Sequence, residues 1–76
     1  MNKVESILIE HYEAACRGRA FYRNRLKDAL TARDLERYTK LWNEQNVLYF
    51  ELNEILQEAG YDTAVLERDA LKDGDY

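Results

Sequence analysis

Residues 35–59 read LERYTKLWNEQNVLYFELNEILQEA. Leu35, Trp42, Tyr49 and Leu56 recur every seven residues, and Tyr38, Gln45, Leu52 and Ala59 form the second row of the same heptad. Two such rows make one apolar seam on an α-helix that packs against another helix. Leu41, Leu48 and Ile55 widen that seam on one side. No proline interrupts the stretch, and Gly60 follows it where a helix would stop. On the other side lies Thr31-Ala32-Arg33-Asp34. Thr31 can cap a following helix with its hydroxyl, and Asp34 suits a helix N-terminus. The second helix is therefore expected over about 32–59.

Upstream, Val4, Leu8, Tyr12, Ala15, Tyr22, Leu26 and Leu30 fall within one stripe at 100° per residue, which predicts a first helix over about 3–30. Downstream, Asp62 can cap a short third helix over about 63–72, and residues 73–76 read as a frayed tail. The short joint at Thr31 makes the two long helices antiparallel neighbours. The expected fold is thus all-α. It is a single domain over 1–76, a long antiparallel two-helix hairpin with a short C-terminal third helix, dimerising into a four-helix bundle.

Composition agrees with this class. The chain has 76 residues, 46% hydrophobic and 34% charged, with three glycines and no proline. That is too apolar for a disordered chain and too poor in turn formers for an all-β fold. A core of this size stabilises by only about 3–5 kcal/mol, so small folds usually gain a staple or a partner. One cysteine, Cys16, allows no internal disulfide, and no Cys/His cluster suggests a metal. Neither a secretory signal nor a membrane span is legible, and a cytoplasmic protein with reduced Cys16 is expected.

The apolar arcs exceed what one hairpin uses. Ile7, Ala14, Gly18 and Phe21 lie on a flank of helix 1, and Val47 and Phe50 lie nearly opposite the seam of helix 2. The third helix, a second copy, or a different protein would cover them. Tyrosines at seam spacing read as core. Ile7, Phe21, Val47 and Phe50 read as apolar partner contacts.

Pairing from the Thr31 turn brings Tyr22 to Tyr38, Tyr12 to Tyr49, Leu26 to Leu35, and Gly18 and Arg19 to Trp42. Arg19, Trp42 and Gln45 then read as a device that fixes register and specificity, with Arg19 stacked on Trp42 or bonded to Gln45. Gly18 would make room for the indole. His11 reads as a histidine hydrogen-bonded across the seam near Glu51 or Asn53, in preference to a ligand or base.

Enzyme constellations are missing. Leu8 stands three residues before His11, where a di-iron bundle would want Glu. His11 and Cys16 lie about 140° apart on the helix and cannot pair as base and nucleophile. Glu44, Glu51 and Glu58 repeat every seven residues, the pattern of a solvated face rather than a metal channel. No cofactor is implied.

Charge is polarised. Residues 17–40 sum to +5, residues 1–16 to −2 and residues 41–76 to −7. A hairpin makes this a rod with a basic tip and an acidic open end. Arg23, Lys27, Arg33 and Arg37 are the candidate electrostatic contacts. The leading expectation is a non-enzymatic protein–protein interaction module, an adaptor, inhibitor or regulator. The alternatives are nucleic-acid phosphate binding by the tip, opposed by a net charge of −4, and a self-assembling structural bundle.

Overall fold

The structure, a computed structural model, describes residues 2–72, 74 and 76. Three helices follow in order: α1 (Lys3–Lys27), α2 (Ala32–Glu58) and α3 (Thr63–Leu71). The hairpin of two long helices with a short third helix is as the periodicity predicts. Among the described residues there is no strand. Of the tail expected to fray, Asp73 and Asp75 lie outside the described residues.

Each helix start is fixed by a side-chain cap. Asn2, Thr31 and Asp62 each accept a hydrogen bond from the backbone N–H three residues on, at Glu5, Asp34 and Val65. Such caps satisfy donors that the helix itself leaves unpaired. At the end of α2, Gly60 adopts φ 93°, the left-handed conformation that glycine reaches without penalty. Its N–H donates to the Gln57 carbonyl, and Tyr61 N–H donates to the Leu56 carbonyl. These are the two bonds of a Schellman stop. Tyr61 and Leu56 also pack in the same cluster, which adds the apolar contact that goes with the motif.

α1 stops at Lys27, not at the expected residue 30. Asp28 N–H donates to Arg25 O, Ala29 N–H donates to Leu26 O, and Leu30 is 95% exposed. Leu30 fits the stripe by spacing, but at the tip there is no neighbour for it to pack on.

The core lies at the open end. Tyr12 and Leu56 are fully buried, with Ala15, Cys16, Thr63 and Ala70 close to it. Leu8, Ile9, Tyr49, Leu52, Tyr61 and Leu66 pack around them. α3 docks chiefly on α1 and turns the open end into a three-helix junction. The Tyr12 hydroxyl lies 3.3 Å from the Thr63 carbonyl and 3.4 Å from Asn53 Oδ1. Gln57 donates to the Thr63 hydroxyl at 3.1 Å, and Tyr61 donates to Glu5 at 2.6 Å. The α2–α3 corner is therefore tied both to itself and to the first turn of α1.

The tip has only two helices, and no residue there is fully buried. Tyr22 and Tyr38 stack at 6.4 Å as the pairing predicts. Leu35, expected in the seam against Leu26, is 52% exposed, and Leu48 and Ile55 are also exposed. A two-helix ribbon shields only the narrow line where its helices touch.

Candidate functional site

The three helices leave a cleft of about 430 Å³ between Cys16, Arg19, Ala20 and Arg23 of α1, Trp42 and Tyr49 of α2, and Glu67 and Leu71 of α3. Arg19 is its organising charge. Its Nε donates to Asn46 Oδ1 at 2.6 Å, and its guanidinium carbon sits 3.8 Å from the Tyr49 ring centroid. Nη1 lies 3.6 Å from Glu67 Oε1, and Phe50 offers a second ring at 5.5 Å. A planar guanidinium suits this mixture of stacking and in-plane donation in a way that lysine does not.

This corrects the expected partners of Arg19, which are Asn46 and Tyr49 in place of Gln45 and Trp42. Trp42 lines the cleft half-buried. Gly18 faces Gln45, not Trp42: a Cβ at Gly18 would lie 2.5 Å from Gln45 Oε1. The glycine makes room for an amide rather than an indole. His11 is exposed, and the Asn53 expected to bond it meets the Tyr12 hydroxyl instead.

Cys16, Tyr12 and Tyr49, in and beneath the cleft, hold their protons more tightly than usual. Burial pushes the Cys16 thiol up to about 11, against some relief from the Tyr12 hydroxyl. Burial raises Tyr49 as well, and it raises Tyr12 further, helped by the Tyr49 and Cys16 neighbours. A thiol held above its usual range is a weak nucleophile at neutral pH. Tyr12 and Tyr49 stack at 5.4 Å. Among the described residues, no three His, Cys, Asp or Glu side chains gather where a metal could be held. What the cleft can offer a partner is aromatic surface, one open arginine and a carboxylate. The sequence reasoning missed Asn46, Glu67 and the Glu5–Tyr61 bond. The signal for Glu67 was present: a cation at the seam required an acid close by, and Glu67 adjoins the apolar face of α3 that holds Leu66 and Ala70.

The eight residues expected to contact partners form three surfaces. Phe50, 59% exposed, and Val47 are on α2. Phe50 sits beside Arg19 on the α3 side. Ile7 lies nine residues before Cys16, half a revolution around α1, and so on the side away from α3. Phe21, close to the tip, lines a shallow pocket with Asn24, Arg25, Asp28 and Tyr76. Arg23, Lys27, Arg33 and Arg37 are all exposed around the tip. Arg25 lies 5.0 Å over Phe21 and Arg37 5.7 Å over Tyr38. No helix is long and apolar enough to cross a membrane. Compared with protein-family models, curated proteins and solved structures, the chain matches none.

Proposed function

We propose that this chain is a small non-enzymatic protein–protein interaction module, acting in the cytoplasm as an adaptor, inhibitor or regulator. Uncovered surface carries the reading. The chain exposes 5636 Å². A compact monomer of 9.0 kDa would expose about 4,850 Å². The surplus, about 800 Å², includes large apolar side chains at Val4, Ile7, Phe21, Val47, Leu48, Phe50 and Ile55. Self-association into a four-helix bundle belongs to the same proposal, since a hairpin that covers only one line of each helix gains most from a second layer.

Val47 and Phe50 are assigned to the foreign partner, with the basic tip steering its approach. The test is a tagged pull-down from the native host, with and without nuclease, comparing the natural chain with Val47→Ser/Phe50→Ser. A stoichiometric protein that survives nuclease and is lost in the variant, at unchanged helicity, supports the reading. Loss of helicity means that these residues are structural, and the assignment fails.

One observation favours a second reading. Arg23, Arg25, Lys27, Arg33 and Arg37 are all exposed at the tip, and Arg25 lies 5.0 Å over the ring of Phe21. Such an arrangement suits a phosphate backbone with a stacked base. It predicts binding that falls steeply with salt and is lost on Arg23→Glu/Lys27→Glu. A labelled oligonucleotide that shows no shift at low salt ends it.

A further inference from the structure

α1 packs along both of the other helices, while α2 and α3 touch each other little. The cleft is thus a groove floored by α1 and walled by α2 and α3. Its volume of about 430 Å³ falls within the range of small-molecule pockets, roughly 300–1,000 Å³.

The cleft carries more positive charge than it neutralises. Asn46 holds Nε of Arg19 and the Tyr49 ring lies flat against its guanidinium, so the cation is fixed by two uncharged groups. Glu67 is the one acid in the lining, and its 3.6 Å separation from Nη1 is too long for a hydrogen bond. Arg23, one turn further along α1 and exposed, brings a second guanidinium to the same cleft. The protonated Cys16 thiol adds no charge. Two cations therefore face one carboxylate.

The cleft also holds an aromatic face with no occupant. The Tyr49 ring is taken, with Tyr12 stacked on it and Arg19 over it. Trp42 is half-buried in the same lining, and among the described residues it pairs with no other ring and no guanidinium. Ala20 and Leu71 extend the apolar surface beside it.

We infer that the cleft binds a small-molecule acid, one carboxylate on a flat apolar body. The carboxylate takes the place of Glu67 between Arg19 and Arg23, and the body lies against Trp42 and Leu71. Charge selects the anion. A single negative charge offsets the surplus cation, whereas a phosphate dianion is repelled more strongly by Glu67. Size selects the body, because a bare carboxylate or phosphate leaves most of 430 Å³ to water. Shape selects flatness, since an indole stacks on a planar group and a guanidinium meets a carboxylate in its own plane. Such a site is separate from the Val47 and Phe50 surface and needs no second protein.

The experiment titrates the isotope-labelled full chain with cinnamate. The nuclear magnetic resonance signal of the Trp42 indole N–H reports binding without ambiguity, because the chain has one tryptophan. A saturable shift is expected, with a dissociation constant on the order of 1 mM for so small a probe. Neutral cinnamamide is expected to bind about tenfold more weakly, through loss of the charge-assisted bonds. Acetate and inorganic phosphate are expected to bind more weakly than cinnamate. Arg19→Gln and Arg23→Gln each weaken cinnamate binding severalfold, and Glu67→Gln strengthens it. Circular dichroism checks that each variant is folded. Arg19 also packs on Tyr49, so if Arg19→Gln unfolds, Arg23→Gln and Glu67→Gln decide. A shift that never saturates overturns the inference. So does equal binding of cinnamate and cinnamamide, or tighter binding of phosphate. Indifference to both Arg23→Gln and Glu67→Gln overturns it as well. None of these outcomes decides the foreign-partner reading, which stands or falls on the pull-down.

Discussion

The open end and the tip of this rod are built from the same two helices, yet only the open end has an interior. There, α3 covers Tyr12 and Cys16, side-chain caps and the Gly60 stop fix the corner, and Tyr61 reaches back to Glu5. At the tip the aromatic pair Tyr22–Tyr38 holds the helices together, Leu30 and Leu35 remain exposed, and five cations crowd the surface. A two-helix ribbon becomes a core only where a third element closes it. Stability therefore concentrates at one end, and the other end is left free to carry charge.

The comparison breaks most sharply in the core. Tyr12→Ala or Leu56→Ala is expected to cost about 3–5 kcal/mol, comparable to the whole stability of a domain this small, whereas Leu35→Ala costs under about 1. Urea unfolding followed by circular dichroism measures both. Equal losses at the two ends would mean that the tip has a core of its own.

Alkaline pH addresses the open end alone. Cys16, Tyr12 and Tyr49 hold their protons more tightly folded than unfolded. The folded state then binds more protons, so stability is intact below the unfolded-state values and falls as pH rises above about 9. A melting temperature that declines from there, less steeply in Cys16→Ala, is the expected outcome.

Gly60→Ala forces a Cβ into φ 93° and is expected to cost about 1 kcal/mol. Gly18→Ala is a smaller change. Its Cβ displaces the flexible end of Gln45, a cost that roughly offsets the helix-propensity gain of about 1 kcal/mol. Smallest of all, Leu30→Ser at the tip is expected to alter stability by less than about 0.5 kcal/mol. Hydrogen exchange orders the regions independently, with tip amides exchanging before those around Tyr12.

The heptad from Leu35 to Leu56 and the caps at Thr31, Asp62 and Gly60 made the elements and their order legible, because each acts within a few residues of itself. Which flank α3 would cover was not legible. Periodicity shows which side chains are apolar, not which neighbour hides them, so Leu48 and Ile55 read as seam and lie exposed. One pairing constant placed Tyr12 against Tyr49 and Tyr22 against Tyr38, yet it missed Arg19–Asn46 and Gly18–Gln45 by about a turn. Side chains meet between the rungs of a facing helix, and a long arginine reaches past its nearest rung. The candidate site suffered most, since Glu67 reaches Arg19 only through a tertiary docking that local spacing does not encode.

The bond between the Tyr12 hydroxyl and the Thr63 carbonyl spans fifty-one residues of chain. On a ribosome adding roughly 5–20 residues each second, Tyr12 waits on the order of 3–10 s for that carbonyl to be made. Helices form in about a microsecond, so α1 and α2 can pair once residue 58 is made, roughly one to three seconds before residue 71 completes α3. Until α3 docks, Tyr12 and Cys16 lack their cover, so the end that becomes the most sheltered part of the molecule is the last to close.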